Sequence, residues 1–384
     1  MYSVSVYGAM MADETRMNAY VAAMRQAITA NSVVMDLGAG PGIFALIACQ
    51  LGARLVYVVE PENIIQVARE SSVANGFTDR IVCLQDFSTK IQLSEQPDII
   101  VSDLRGVLPF FQRHLPSICD ARDRLLSRGG TLIPHKDRLW AAIVEFPERY
   151  SALVGPWENN KFGMKLDAGR RLVTNGWFKA RVKPEQLLTE PTLWWTLDYY
   201  QVDSPDVTAE FTCIAKRSGI AHGFAVWFDS ELLGNIGLSN HPDMAEMIYG
   251  QALFPLAQPV ELASGDEVRV DLRADMVGED YVWSWRSRVC HQGQIERIKA
   301  KFEQSTFFGA PLSTTQLRKE ASAFVPRLNE EGQLRALALS LMNGHRSLQQ
   351  IADQLVERFP NRFSQSHDAL KEVSELSRTF SEDS

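Results

Sequence analysis

An apolar run, a glycine-rich turn and a helical pattern follow one another in VVMDLGAGPGIFALIACQLGA, residues 33–53. The first apolar residues predict a buried strand, and those after the turn recur at helical spacing. Gly38, Gly40 and Gly42 let the backbone turn sharply and approach a ligand, and the helix N-terminus favours a carboxylate or phosphate. This order predicts an α/β domain with a parallel sheet. Alone, the G-x-G-x-G spacing indicates a nucleotide site only weakly, because glycine turns are common in such proteins.

Three further apolar runs end in polar residues. LVYVVE ends at Glu60, about 20 residues beyond the glycines, where a carboxylate can accept both ribose hydroxyls, although an exposed strand-end glutamate is the alternative. RIVCLQ leads to Asp86, Phe87 and Ser88, which can present a backbone amide and a polar group to an adenine ring. PDIIVSD forms the fourth strand. This order, without the dinucleotide fingerprint, favours S-adenosylmethionine over NAD, and Asp36 is expected to orient the loop or the methionine end of the cofactor.

Six segments, taken together, resemble protein arginine N-methyltransferases: YGAMMADETRMNAY, VVMDLGAGPGIFALIACQLGA, VYVVE, DIIVSD, WENNKFGMKLD and VKPEQLLTEPTL. The resemblance extends from about Tyr7 to about Cys290. It implies a Rossmann-like class I methyltransferase domain at residues 1–134 and an antiparallel β-barrel domain at residues 135–310. It also implies a helical dimerisation arm at about residues 153–185 and a head-to-tail homodimer.

The resemblance assigns roles on the cofactor side of the site. Arg16 matches the arginine that pairs with the cofactor carboxylate, which suits a bidentate clamp. The three glycines match the cofactor loop, and Glu60 matches the glutamate that binds the ribose. Ser88 stands where the family has an adenine-side glutamate, so a hydroxyl replaces a charged acceptor. This half of the site therefore largely keeps the family pattern.

The acceptor side departs from the family. Its loop after the fourth strand carries two glutamates that grip a guanidinium, whereas SDLRGVLPFFQ has Asp103 at the first position and Gln112 at the second. One of two charge-assisted bonds, each worth about 1.5–3 kcal/mol, would be lost. Asp103 could act as a base, or could orient an amine, amide or guanidine nitrogen. Arg105 would repel an arginine side chain unless it is solvated or paired with Asp103; otherwise the pocket accepts a neutral or anionic group.

A second departure lies in the barrel, where Met247-Ile248-Tyr249 replaces the family's threonine-histidine-tryptophan triplet. The usual aspartate partner of that histidine matches Asp13, which is left without its relay partner. Tyr249 is expected to supply an aromatic wall to the substrate site. Only a few residues precede YGAM, so the family's N-terminal helix is expected to be absent or rebuilt as YSVSVY.

The last 74 residues, 311–384, return to helical periodicity. Ser347 and Gln350 form a capping box before an amphipathic run. The segment LMNGHRSLQQIADQL resembles the small winged-helix domain of the pyrroloquinoline quinone peptide chaperone, which implies that it binds the leader of a peptide substrate. A plain packing or dimer-stabilising module fits the same pattern.

Composition and charge limit the classes of partner and the cellular compartment that we expect. A formal net charge of −8 argues against a nucleic-acid-coating protein. No apolar run approaches the roughly 20 residues of a membrane span, and the N-terminus lacks a targeting pattern. The five cysteines have no metal-ligand spacing, so we expect no metal and a cytoplasmic protein.

Three hypotheses follow from these observations. The first is a methyltransferase with an altered acceptor pocket that acts on a peptide or small metabolite in a biosynthetic pathway. The second is a peptidyl-arginine N-methyltransferase guided by the C-terminal domain. The third is a catalytically silent scaffold, which the retained Arg16 and Glu60 argue against.

Overall fold

The computed structural model describes residues 3–382, apart from the side chains of residues 294–296. The chain divides into two compact units, of which the first ends at Pro311 and the second begins at Leu312. The first unit contains a parallel sheet and two antiparallel sheets. The finer division into domains at residues 134 and 310 stays a prediction.

The parallel sheet has the strand order β3-β2-β1-β4-β5. Its strands are β1 (Val33–Leu37), β2 (Leu55–Val59), β3 (Ile81–Leu84), β4 (Ile99–Ser102) and β5 (Thr131–Ile133). The order reverses between β1 and β4, and such a reversal opens a crevice at the carboxyl ends of the strands. The predicted α/β domain is therefore confirmed, and the residues that follow β1 to β4 meet at one edge.

Helices border this sheet in the order of the chain. They are α1 (Val4–Ala12), α2 (Glu14–Ala27), α3 (Ile43–Gln50), α4 (Ile65–Ala74) and α5 (His114–Asp120), with a 3-10 turn at Ser88–Lys90 and a π turn at Ala121–Leu125. Helix α3 begins after Gly42, whose φ of 80° is left-handed. A Cβ on Gly42 would lie 2.6 Å from the Cβ of Ala68, so the loop needs glycine here for both conformation and space.

The antiparallel strands form two sheets, in the orders β7-β12-β10-β6-β8, with β11 beside β10, and β15-β14-β13-β9. They are β6 (Lys136–Val144), β7 (Phe178–Ala180), β8 (Thr192–Asp198), β9 (Val207–Ile214), β10 (Gly219–Leu233), β11 (Ile236–Ser239), β12 (Gln251–Leu262), β13 (Glu267–Val277), β14 (Asp280–His291) and β15 (Gln294–Ser305). Phe224, Phe254 and Trp283 belong to their shared apolar core. The predicted antiparallel domain is confirmed.

Three helices accompany these sheets: α6 (Pro147–Glu158), α7 (Asp167–Thr174) and α8 (Thr306–Gly309). Helices α6 and α7 and the loop between them occupy much of the predicted arm. Phe162 and Met164 in that loop are 82% and 63% exposed.

The second unit consists of helices in its described part: α9 (Thr314–Glu320), α10 (Glu330–Leu341), α11 (Leu348–Arg358) and α12 (Ser366–Phe380). Leu334, Ile351 and Val373 belong to its own small core. The capping box of Ser347 and Gln350 is formed as predicted. The likeness to a winged helix stays a prediction. Among residues 3–382, no helix is long and apolar enough to span a membrane.

Candidate active site

A cavity of about 630 Å³ lies at the carboxyl ends of the parallel strands. Residues of α1, α2, the glycine loop, the loops after β2 to β4 and the hairpin between β13 and β14 line it. Of the predicted site residues, it is lined by Arg16, Gly38, Glu60, Asp86, Phe87, Ser88, Asp103, Arg105 and Gln112. The topology thus brings the two predicted sides of the site into one cavity, whose size is usual for a small-molecule site.

The glycine-loop half of the cavity comprises Asp36, the glycine loop, Glu60 and residues 86–88. The Glu60 carboxylate accepts one hydrogen bond from the Gly40 amide and one from the Glu62 amide, both at 2.9 Å. No salt bridge to Glu60 occurs among the described residues, and burial raises its pKa. Because each carboxylate oxygen can accept a second hydrogen bond, Glu60 retains capacity for two ligand hydroxyls.

Asp36 lies behind the glycine loop rather than on the cavity wall. Its Oδ2 accepts a hydrogen bond from the Ala45 amide in the first turn of α3, at 3.0 Å. Burial raises the pKa of Asp36 to about 7. Asp36 therefore holds the loop against α3, as one of the two roles expected for it. On the other side, Tyr7 of α1 approaches so closely that a Cβ on Gly40 would lie 2.6 Å from its ring.

Residues 86–88 form the far end of this half. Ser88 is buried, and its Oγ has no hydrogen-bond partner in the part of the chain that the structure describes. Phe87 is 40% exposed, and Asp86 is half-buried. A buried hydroxyl without a partner beside an exposed aromatic ring is a suitable contact for a planar heterocycle that carries an amino group.

The Asp103 half comprises Arg16, Asp103, Arg105, His114 and Tyr249. Asp103 Oδ2 accepts hydrogen bonds from Arg16 Nε at 2.6 Å and from the Tyr249 hydroxyl at 2.7 Å, while Oδ1 lies 3.3 Å from Arg105 Nε. Burial alone would raise the pKa of Asp103, but Arg16 and Arg105 together hold it below its ordinary value. Two cations thus already bind the carboxylate expected to meet the acceptor.

Of the two alternatives expected for Arg105, solvation or pairing with Asp103, the structure does not show solvation. Its side chain is fully buried, and its guanidinium donates to Asp137 Oδ1 at 2.8 Å, Ser230 Oγ at 2.9 Å and the Tyr20 hydroxyl at 3.3 Å. The expected approach to Asp103 is present at 3.3 Å. Arg105 therefore connects the loop after β4 to strands β6 and β10.

Three other predicted site residues lie outside the cavity wall or at its rim. Asp13 does not line the cavity, since its carboxylate caps α2 at the Arg16 amide, at 3.0 Å, and accepts from the Ile248 amide at 2.7 Å. Tyr249 does not line the cavity, so it does not supply the expected aromatic wall; its hydroxyl donates to Asp103 Oδ2 and accepts from Arg16 Nε. Gln112 is exposed at the rim, with a left-handed φ of 42°.

The N-terminal segment is rebuilt as a helix, α1, which contributes Tyr7, Met10 and Met11 to the cavity wall.

Sequence reasoning missed a buried polar group beside Arg105. His114, at the start of α5, lines the cavity and is buried. Its Nε2 lies 3.1 Å from the Tyr199 hydroxyl, which in turn lies 2.6 Å from Asp137 Oδ2. A histidine two residues after Gln112 was the local signal, because Asp137 belongs to β6 and Tyr199 directly follows β8, both distant in sequence.

Two protein families match this chain. The arginine methyltransferase oligomerization subdomain matches residues 135–286, and the ribosomal protein L11 methyltransferase (PrmA) matches residues 15–129. Protein arginine N-methyltransferase 6 of Xenopus tropicalis is 30% identical over 284 residues, which are 70% of this chain and 83% of that protein. Probable protein arginine N-methyltransferase 6 of Arabidopsis thaliana is 30% identical over 60% of this chain, and the match spans 55% of that plant protein.

Solved structures of similar fold cover most of the chain. The PRMT1 enzyme-prozyme heterotetrameric complex of Trypanosoma brucei with AdoHcy superposes with a TM-score of 0.71 at 23% identity, over 79% of this chain and 98% of that chain. Protein arginine methyltransferase 10 of Arabidopsis thaliana gives a TM-score of 0.69 at 21% identity, over 79% and 97%. At these identities the likeness shows the fold.

Proposed function

This chain belongs to the protein arginine N-methyltransferase family, and we propose that it transfers a methyl group from S-adenosylmethionine to an acceptor other than an ordinary protein arginine. The acceptor is a peptide or a small metabolite of a biosynthetic pathway. The observation that carries this proposal is the state of Asp103, whose carboxylate is bound by Arg16 and Arg105.

The glycine-loop half fits the cofactor. Glu60 has spare acceptor capacity for the ribose hydroxyls, and the buried Ser88 hydroxyl, without a partner among the described residues, suits the adenine amine. Arg16 uses Nε and Nη1 for contacts with other described residues, and no hydrogen bond of Nη2 occurs among them, so Nη2 is left for a carboxylate. The bound cofactor supplies an electrophilic methyl group on sulfur, and the protein positions the acceptor nitrogen in line with it.

The Asp103 half offers little net charge to a cation. The positive charges of Arg16 and Arg105 are balanced by Asp103 and Asp137, and Gln112 is neutral. A guanidinium about 5 Å from Arg105 would meet a repulsion of about 3 kcal/mol at an effective dielectric constant of 20, which the attraction to Asp103 and Asp137 offsets, so the site gives a cation little net attraction. The loss of hydration of a buried cation costs several kcal/mol unless a carboxylate is free to pair with it. A neutral acceptor avoids this cost.

Peptidyl-arginine methylation, guided by the C-terminal unit, is the second candidate. The named relatives are arginine N-methyltransferases. If Arg16 turns to a cofactor carboxylate, Asp103 keeps only Arg105 and Tyr249 as partners, which frees acceptor capacity for a guanidinium. Asp103 and Gln112 line the same cavity, so both could contact such a substrate.

The test is a methylation assay with labelled S-adenosylmethionine and peptides that differ at one residue: arginine, citrulline, glutamine or lysine, beside small amines. Binding of each compound to the S-adenosylhomocysteine complex is measured by calorimetry. We expect the neutral members to bind at least as tightly as the arginine peptide. Efficient methylation of the arginine peptide would instead support the second candidate, and failure to bind the cofactor would support the silent scaffold.

We also propose a head-to-tail homodimer formed through α6 and α7. The match to an oligomerization subdomain supports it, as do the exposed Phe162 and Met164 of the arm. Leader binding by the C-terminal unit, the absence of nucleic-acid partners and a cytoplasmic location remain predictions. Light scattering of the intact protein and of a Phe162→Ser, Met164→Ser variant tests the dimer, since the variant should shift towards the monomer.

A further inference from the structure

His114 is a buried histidine in the Asp103 half for which the proposed function does not yet account. It lines the cavity and is only 2% exposed. Its Nε2 contacts Tyr199, but its Nδ1 has no hydrogen-bond partner among the described residues. A buried polar atom without a partner in a cavity wall is suited to meet a ligand.

The neighbours of His114 decide which ring nitrogen carries the proton. Asp137 Oδ1 accepts from Arg105, and Oδ2 lies 2.6 Å from the Tyr199 hydroxyl, so Tyr199 donates its single proton to this carboxylate. The Tyr199 oxygen must then accept from His114, which places the imidazole proton on Nε2. Nδ1 therefore carries a bare lone pair.

The imidazole is also neutral. Burial, together with the nearby Arg105, lowers the pKa of His114 to about 3. So weak a base does not hold a proton at neutral pH, which argues against general-base catalysis by His114. A neutral imidazole can still accept a hydrogen bond.

A second buried acceptor in the same cavity also lacks a hydrogen-bond partner. Asp103 Oδ1 lies 3.3 Å from Arg105 Nε, yet neither atom forms a hydrogen bond of normal geometry within the described residues. Two residues of the Asp103 half that line the cavity, Asp103 and His114, thus each have a buried acceptor atom without a hydrogen-bond partner among the described residues, Oδ1 and Nδ1. A primary NH₂ group has two hydrogens and can satisfy both, which in an amine leaves the nitrogen lone pair free.

We propose that Asp103 Oδ1 and His114 Nδ1 together bind the two hydrogens of a neutral NH₂ group, which makes His114 a substrate-binding residue of this enzyme. The inference rests on the proposed function and specifies its acceptor as an uncharged amine or a carboxamide. The charge balance of the Asp103 half favours the neutral form over a cation of the same shape.

Two variants separate binding from structural support. His114→Gln can place an amide nitrogen near the Nε2 position and keep the bond to Tyr199, but loses the Nδ1 acceptor. His114→Asn can place an amide oxygen near the Nδ1 position and loses the bond to Tyr199. If Nδ1 binds the ligand, His114→Gln should weaken ligand binding more than His114→Asn does. If His114 only supports the structure, His114→Asn should weaken it more.

The experiment titrates the full-length protein, with and without S-adenosylhomocysteine, with acetamide and with its cationic counterpart acetamidinium. We expect acetamide to bind more tightly than acetamidinium. We expect the dissociation constant for acetamide to rise about tenfold in His114→Gln, equivalent to about 1.4 kcal/mol, and less than threefold in His114→Asn. Tighter acetamidinium binding, or a greater loss in His114→Asn, would overturn the proposal.

Nitrogen-15 NMR of the wild-type imidazole gives a readout that does not depend on the folding of either variant. The expected spectrum shows a neutral ring protonated at Nε2, and the Nδ1 resonance moves when acetamide is added. Protonation at Nδ1, or an Nδ1 resonance that acetamide leaves unchanged, contradicts the inference. Neither measurement needs turnover, so a failure of methyl transfer itself is detected separately in the labelled-cofactor assay.

Discussion

The two halves of the cavity treat their carboxylates in opposite ways. In the glycine-loop half, Asp36 and Glu60 accept hydrogen bonds from backbone amides, and burial raises both pKa values. In the Asp103 half, Asp103 and Asp137 are bound by buried arginines. The first half keeps free acceptor capacity for a ligand. The second is neutralised internally, so its selectivity depends on the geometry of hydrogen-bond acceptors more than on charge.

The largest effect that would test this comparison is loss of the free acceptor in the glycine-loop half. Glu60→Ala should weaken S-adenosylmethionine binding at least about 100-fold, because two hydrogen bonds to a charged group are lost. Calorimetry measures this change. Glu70→Ala, an exposed glutamate on α4, is the matched control and should bind normally. Unchanged binding by Glu60→Ala would place the ribose elsewhere.

The second largest expected effect is on stability, when the bound carboxylate of the Asp103 half is removed. Asp103→Asn should lower the free energy of unfolding by about 3 kcal/mol, because Arg16 and Arg105 would remain buried with one carboxylate fewer. Asp36→Asn has no cation to leave behind and should cost less than half as much at pH 8. Urea denaturation of both variants measures the difference. Equal losses would show that the two halves do not differ in this respect.

The two halves should also show opposite pH dependence. The pKa of Asp36 is raised to about 7, so its contribution to stability falls as the pH rises from about 4 to 7. The pKa of His114 is lowered to about 3, so its contribution is lost as the pH falls from about 6.5 to 3. Each slope should approach, at most, about 1.4 kcal/mol per pH unit.

Subtraction isolates these two slopes. The free energy of unfolding of the wild type minus that of Asp36→Asn should decrease as the pH rises. The free energy of unfolding of the wild type minus that of His114→Gln should increase as the pH rises. Urea denaturation at a series of pH values measures both differences. Slopes of the same sign would contradict the assignment of either group.

The smallest expected effect is on peptide binding, when Gln112 at the rim of the cavity is changed. Gln112→Glu adds a carboxylate at an exposed position of the same cavity, so we expect binding of an arginine peptide to improve about fivefold, with no gain for its citrulline counterpart. Calorimetry on the S-adenosylhomocysteine complex measures it. Gln201→Glu, exposed on another part of the first unit, is the matched control. An equal gain from both variants would indicate a general charge effect.

The glycine-loop half was predictable because its signals are local. Gly38 to Gly42 directly follow β1, and Glu60 directly follows β2, so a short stretch of chain contains most of the partners. The Asp103 half was only partly predictable. Asp103 and Gln112 could be found in one loop, but the direction in which Arg105 points could not.

The α/β order, the glycine loop and the change of acceptor-side residues follow from the amino-acid sequence alone, since strand and helix periodicity and short spacings are properties of neighbouring residues. The contacts of Arg105 and His114 depend on the fold of the whole unit. Asp137, Tyr199 and Ser230 lie 32 to 125 residues from the partners that they bind, and they meet because β6, β10 and the end of β8 converge beneath the loop after β4. Burial then requires those polar groups to pair, so the fold sets which acceptors stay available to a substrate.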